Sequence, residues 1–141
     1  GKRVAVVGRS NIVGRPIANL LSDRSHNATV TLCHSRTPNL SQILKQMDVI
    51  VVATGRPNTI SVSDVRNDAV IVDVGVNRVP DESERGWHLE GDFNPAGAES
   101  TDIRYTPVPG GVGLLTVAML MENTIEFYEK ESGTFSKNSI E

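Results

Sequence analysis

Four runs rich in branched apolar residues punctuate the chain, and each gives way to a stretch with a different rhythm. Val4-Ala5-Val6-Val7 is the first, with no polar position inside it, as expected of a strand buried on both faces of a parallel sheet. Ala28 to Cys33, Val49 to Ala53 and Val70 to Val74 read as the second, third and fourth strands. Between the first two, a helical pattern runs from about Pro16 to Leu21. Leu40, Ile43, Leu44 and Met47 then recur at helical spacing, and a short helix is predicted around Ser63 to Arg66. Strands and helices of this size in alternation predict an α/β fold, a parallel sheet with right-handed crossovers and helices on both faces. From Asn77 to Ser100 the pattern loosens into prolines, glycines and charges, with Trp87 and Leu89 as apolar anchors. A short strand at Ile103-Arg104-Tyr105 leads into Thr106-Pro107-Val108-Pro109-Gly110-Gly111-Val112-Gly113. A final helix spans roughly Leu115 to Glu131. One domain is expected over residues 1–131, followed by a polar, flexible tail at 132–141.

Composition changes this picture little. A chain of 141 residues suffices for one core and is short for two. Its net charge of −3 gives no electrostatic reason to expect nucleic acid or an anionic membrane, and no apolar stretch has the length of a membrane span. The single cysteine, Cys33, sits in an apolar run and reads as a buried strand residue. It fits a reducing compartment, the cytoplasm first and the mitochondrion as an alternative. Three histidines and one cysteine show no metal-ligand spacing, so no metal is expected.

The chemistry begins where the first strand ends. Gly8-Arg9-Ser10-Asn11-Ile12-Val13-Gly14-Arg15-Pro16 joins a buried strand to a helix, the arrangement that offers a helix N-terminus to a phosphate. Gly8 suits the tight turn, and Gly14 suits a close approach of backbone to ligand or of helix to strand. The spacing departs from the usual G-x-G-x-x-G fingerprint, because an arginine and a serine stand where the middle glycine falls. The pattern predicts a Rossmann-like nucleotide-binding domain, while a tight turn without a ligand explains the same glycines.

The end of the second strand indicates which dinucleotide. Domains that bind NAD place an Asp or Glu there for the ribose 2′-hydroxyl. This chain has Cys33-His34-Ser35-Arg36-Thr37, with no carboxylate. A serine hydroxyl and the guanidiniums of Arg36 and Arg9 suit a 2′-phosphate instead, which favours NADP. Singly, each arginine is also explained as a solvated surface charge. His34 reads as a packing or hydrogen-bonding residue rather than a proton shuttle. Thr54-Gly55 and Asp73-Val74-Gly75-Val76-Asn77 end the third and fourth strands, at the edge where such sheets bind ligands. Asp73, inside an apolar strand, reads as a cap for neighbouring loop amides ahead of an acid or base. The proline-glycine loop, 106–113, reads as backbone laid against a flat ligand or as a rigid connector.

These residues together resemble one family. Gly8-Arg9-Ser10, Ile12-Val13-Gly14-Arg15-Pro16, Ala28-Thr29-Val30-Thr31, Cys33-His34-Ser35, Asp73-Val74-Gly75-Val76-Asn77-Arg78, Gly91-Asp92 and Thr106 to Gly113 with Thr116-Val117-Ala118-Met119-Leu120 occur in its order. The chain, from about Gly1 to Tyr128, is similar to the NADP-binding domain of methylenetetrahydrofolate dehydrogenase/methenyltetrahydrofolate cyclohydrolase. The resemblance implies oxidation of 5,10-methylenetetrahydrofolate to the methenyl compound with NADP, then hydrolysis to 10-formyltetrahydrofolate. It implies that Gly8, Arg9 and Ser10 hold the cofactor phosphates, with Ser35 at the 2′-phosphate and Val76 at the nicotinamide half; with Ile12, Val13, Arg36, Thr54 and Gly55 they make up the expected cofactor site. Pro109, Gly110, Gly111, Val112 and Gly113 would face the folate. It also implies a preceding domain with a Y-x-x-x-K pair, which neither Tyr105 nor Tyr128 provides, and a homodimer at full length. A fragment of this kind would bind NADP without turning over folate. Two departures stand out: Leu114-Leu115 replaces the family's Pro-Met, and Phe93-Asn94-Pro95 follows Gly91-Asp92 where a branched residue is common. A different class of reading is a non-catalytic NADP-binding or sensor module. Another dehydrogenase, of the shikimate type, is a weaker one.

Overall fold

The hydrophobic runs form one parallel sheet. In the computed structural model, which describes residues 1–131, β1 (Arg3–Val7), β2 (Thr29–Cys33), β3 (Val49–Val52), β5 (Val70–Asp73) and β9 (Arg104–Tyr105) pair in the order β2-β1-β3-β5-β9. All four pairings are parallel, with Ala5 opposite Thr31 on one side and Ile50 on the other. The expected tail at 132–141 lies outside the described residues.

Alternation along β1 splits the core into two layers, which is why the sequence shows no polar position there. Val4 and Val6 face α1 (Gly14–Ser22), meeting Ala18 and Val51 with Ile17 and Leu21 at the margin. Ala5 and Val7 face the other way, toward Leu44 on α2 (Leu40–Leu44), with Met47, Ile50, Val52 and Ile71. Helices therefore cover both faces. Each fully buried Ile or Leu contributes about 1.5–3 kcal/mol of burial, so the central layer of Leu44, Ile50, Ile60 and Ile71 dominates the sheet's stability.

Helix α1 starts earlier than its apolar pattern suggests, because Ser10 organises its first turn. The Ser10 hydroxyl oxygen accepts the N–H groups of Val13 (3.1 Å) and Gly14 (3.3 Å), and its carbonyl accepts Arg15 N–H at 3.0 Å. Pro16 follows inside that turn, where its missing N–H has no helical partner to lose. The helix stops at Asp23, whose extended backbone turns the chain toward β2.

The stretch from Asn77 to Ser100 holds more structure than its composition suggests. β6 (Asn77–Pro80) and β7 (Trp87–Glu90) form an antiparallel hairpin, and the Arg78 guanidinium lies 4.7 Å over the Trp87 ring. β8 (Phe93–Asn94) then pairs with β4 (Ile60–Ser61), tying the hairpin's exit back to the region after β3. The short helix expected around Ser63 to Arg66 is a single 3-10 turn, Val62–Asp64, closed by a capping box between Ser61 and Asp64.

The last helix, α3 (Val112–Glu131), begins three residues before its predicted start and buries none of its residues. Leu114, Leu115, Leu120, Ile125 and Phe127 are all exposed along it. No helix among the described residues is long and apolar enough to cross a membrane.

Candidate functional site

Because the strands are parallel, the loops after β1, β2, β3 and β5 gather on one edge. The strand order reverses between β1 and β3, and ligands of open α/β sheets bind at such a switch point. Here the reversal brings Gly8 against Ala53. Gly8 has φ +124°, and a Cβ on it would run into the Ala53 backbone. A Cβ on Gly14 would likewise run into the Gly8 carbonyl, so the β1 loop, the β3 end and α1 meet with no room for side chains.

A cavity of about 240 Å³ opens at this point. Of the sequence-predicted cofactor residues, Gly8, Arg9, Ser10, Ser35 and Thr54 line it. His34, Leu40, Arg56 and Thr59 line it as well. No Asp or Glu is among the lining residues, so nothing there opposes an anion. The first-turn amides of α1 are already partnered by Ser10, which leaves the Ser10 hydroxyl proton free to donate outward.

The other predicted cofactor residues lie elsewhere. Ile12 is 87 % exposed at the tip of the β1 loop, and Val13 sits at the cap of α1. Arg36 is exposed and outside the cavity lining, its backbone N–H donating to His34 Nδ1 at 3.2 Å. That bond places the remaining ring proton of His34 on Nε2, and His34 N–H donates to Thr37 Oγ1, so the histidine shapes the β2 turn. Gly55 faces inward, its N–H donating to Asp92. Val76 lines a second cavity, of about 300 Å³, which it shares with Pro109, Gly110, Gly111, Val112 and Gly113. The five residues expected to face the folate therefore share one wall with Val76, and Leu114 joins them.

Two buried carboxylates hold these loops in place. Asp73, at the end of β5, accepts the N–H groups of Gly75 (2.8 Å), Asp92 (3.2 Å) and Phe93 (2.9 Å). Burial pushes its carboxyl above the usual Asp range, against the pull of those three amides. It caps loop amides, as its place in an apolar strand suggested. Asp92 went unremarked in the sequence beyond its motif, yet it is 0 % exposed and joins three segments. One oxygen accepts Thr54 N–H, Thr54 Oγ1 (2.9 Å) and Gly55 N–H (2.9 Å); the other accepts Asn77 Nδ2 at 2.8 Å. Gly75 and Gly91 pass so close to Asp92 and Asp73 respectively that a Cβ on either would overlap a carboxylate. The glycines flanking these acids are thus required by contact, a signal that Gly75 and Gly91-Asp92 carried in the sequence.

A third tie runs along the hairpin. His88 lies between Asp81 and Glu90, each ring nitrogen 2.8 Å from a carboxylate oxygen, and Glu90 also accepts Asn58 Nδ2 at 2.6 Å. Bonds from Glu90 and Asp81 hold the imidazole above its ordinary pKa. Cys33, buried at the end of β2, has its thiol pushed up by burial and stays protonated.

Residues 1–132 match the model of the tetrahydrofolate dehydrogenase/cyclohydrolase NAD(P)-binding domain. The chain is 47 % identical over 136 residues to the bifunctional protein FolD of Chlorobium chlorochromatii, covering 94 % of this chain and 46 % of that protein. It is 52 % identical over 122 residues to the FolD of Salinibacter ruber, covering 86 % and 41 %. Among solved structures, it superimposes with a TM-score of 0.84 on the Trypanosoma brucei methylenetetrahydrofolate dehydrogenase-cyclohydrolase, complexed with NADP cofactor and inhibitor, at 38 % identity over 94 % of this chain and 45 % of that one. The Campylobacter jejuni FolD gives 0.81 at 41 % identity, covering 93 % and 44 %. The chain spans about half the length of the curated relatives it matches.

Proposed function

The chain belongs to the tetrahydrofolate dehydrogenase/cyclohydrolase NAD(P)-binding domain family, and from that premise we propose that it is the NADP-holding half of a bifunctional folate enzyme. The full protein would oxidise 5,10-methylenetetrahydrofolate to the 5,10-methenyl compound and hydrolyse that to 10-formyltetrahydrofolate. The observation that carries the reading is the cavity at the switch point, lined by Gly8, Arg9, Ser10, Ser35 and Thr54 and by no acid.

The residues fit the group. Arg9 and the hydroxyls of Ser10 and Ser35 supply donors for phosphate, and the missing carboxylate after β2 removes the repulsion a 2′-phosphate would meet. Ile12 and Val13 flank this site on the loop that carries Arg9 and Ser10, and Thr54 lines it from the end of β3. NADP, when bound, accepts the hydride. Val76 would bear on its nicotinamide end, beside the Pro109 to Gly113 wall that faces the folate. The chain's own contribution is to hold the cofactor, to orient it through loops fixed by Asp73 and Asp92, and to exclude water with the proline-glycine wall. None of these residues is assigned an acid–base step.

Relatives are about twice as long as this chain, and α3 is apolar on a surface that nothing among the described residues covers. We assign that cover, and the lysine chemistry, to a preceding catalytic domain, with a homodimer as the full-length assembly. The 141 residues alone would bind NADP without turnover. The test is NADPH formation from methylenetetrahydrofolate by the full-length protein and by this chain. Turnover by the full-length protein alone supports the reading, and turnover by the 141 residues overturns it. NADP binding with no turnover in either would leave the sensor module as the function.

A further inference from the structure

A phosphate monoester held without a bound metal is best neutralised by two guanidiniums, and the sequence points to Arg9 and Arg36 for that pair. The structure separates them: Arg9 lines the switch-point cavity, and Arg36 does not. A different arginine does. Arg56, on the loop after β3, lines the same cavity as Arg9 and Ser35. We infer that Arg56 is a specificity-determining residue of this chain, supplying with Arg9 the pair of cations that distinguishes a 2′-phosphorylated dinucleotide from one bearing a free 2′-hydroxyl.

The placement of Arg56 is fixed by its backbone. Its carbonyl accepts the Thr59 hydroxyl at 2.9 Å, its N–H donates to Thr54 Oγ1 at 3.3 Å, and Thr54 is anchored by buried Asp92. The loop is therefore closed on itself by side-chain hydrogen bonds, while the Arg56 side chain is left exposed. Arg66 is committed to Asp48 and Asp68, and Arg78 to the Trp87 ring. Among the described residues, the Arg9 and Arg56 guanidiniums make no ion pair, and their shared cavity has no acidic lining residue. Two guanidiniums without ion pairs that line one cavity, one following β1 and one following β3, are an arrangement for a doubly charged group. Ser35, following β2, adds a hydroxyl to the same lining.

This inference rests on the NADP reading, and the experiment separates the two. Calorimetric titration of the full-length protein with NADP, NAD and adenosine 2′,5′-bisphosphate is compared for wild type, R56A, R56K and R36A. Arg56 is exposed and its loop is held by other groups, so the variants fold, which unchanged melting temperatures verify. R56A is expected to weaken NADP and the bisphosphate by about tenfold to a hundredfold, the loss of one charge-assisted contact, and to leave NAD within about twofold. R56K should recover part of the loss, as a point charge without the planar fork. R36A should leave all three ligands within about twofold. Equal weakening of NADP and NAD by R56A would place Arg56 at the shared part of the cofactor and overturn the inference. So would a loss of NADP affinity in R36A with none in R56A. Wild-type protein that binds no NADP would overturn the underlying reading as well.

Discussion

Replacing Asp92 tests whether the loop after β3 is held from below. Its carboxylate is completely buried and accepts four hydrogen bonds, three from Thr54 and Gly55 and one from Asn77. An isolated hydrogen bond to a charged group contributes about 1.5–3 kcal/mol. Three of these four share one oxygen, and Thr54 and Gly55 gain access to water once the carboxylate is gone, so the four are not additive. Asp92→Ala should therefore cost about 3–5 kcal/mol, a large share of the roughly 5–15 kcal/mol that holds a domain of this size together. Asp92→Asn keeps the shape and one acceptor oxygen. With that oxygen serving Thr54 and Gly55, its amide NH₂ meets the Asn77 NH₂, and the loss falls to about 1–3 kcal/mol. With a urea slope of about 2 kcal/mol per molar, D92N should lower the unfolding midpoint by about 1 M. The same variant should weaken NADP binding if the switch-point cavity holds the cofactor as proposed, because Thr54 lines that cavity. Equilibrium urea unfolding followed by circular dichroism is the assay. A D92N midpoint within 0.2 M of wild type (about 0.4 kcal/mol at that slope) would refute the claim that this network stabilises the loop.

Gly75→Ala drives a methyl into the Asp92 carboxylate, which its four donors hold in place, and should cost about 1–3 kcal/mol by the same unfolding assay; a neutral result would mean that the acid can move. His88 should titrate above its ordinary 6.5 when followed by NMR, because Asp81 and Glu90 both accept from its charged ring. Its contribution to hairpin stability is then complete below pH 6.5 and fades as pH rises through the raised value. Asp81 and Glu90, both held below their usual range, contribute above 3.8 and 4.5 and lose that contribution as pH falls through their lowered values. A His88 value at or below 6.5 would refute the clasp. Backbone amides of α3 should exchange rapidly in the 141-residue chain and slowly in the full-length protein; equal protection in both would remove the packing role given to this helix.

What the sequence made legible was whatever local chemistry determines. The unbroken Val4 to Val7 run marked an interior strand, and helical spacing at Leu40, Ile43 and Leu44 marked α2, because burial on two faces or one leaves a direct trace in residue order. The β6–β7 hairpin left a fainter one. Trp87-His88-Leu89-Glu90 alternates apolar and polar residues, but the surrounding prolines and charges obscured the period of two. The early start of α1 depends on a serine hydroxyl reaching back to two amides, which no apolar pattern records. At the site, Gly8, Arg9, Ser10 and Ser35 were legible because they sit beside strand ends. Arg56 was not, since its place in the cavity depends on β3 lying next to β1 rather than on any local motif. Asp92 was visible only as half of a Gly-Asp pair, and its role comes from three segments distant in the chain.

The central claim is that this switch-point cavity selects a 2′-phosphorylated dinucleotide. Titrating the chain with NADPH and NADH, followed by nicotinamide fluorescence, tests it most directly. Two charge-assisted phosphate contacts predict NADPH binding at least tenfold tighter than NADH, with the difference shrinking as salt screens the exposed guanidiniums. Equal affinity for the two nucleotides at low salt would contradict the account.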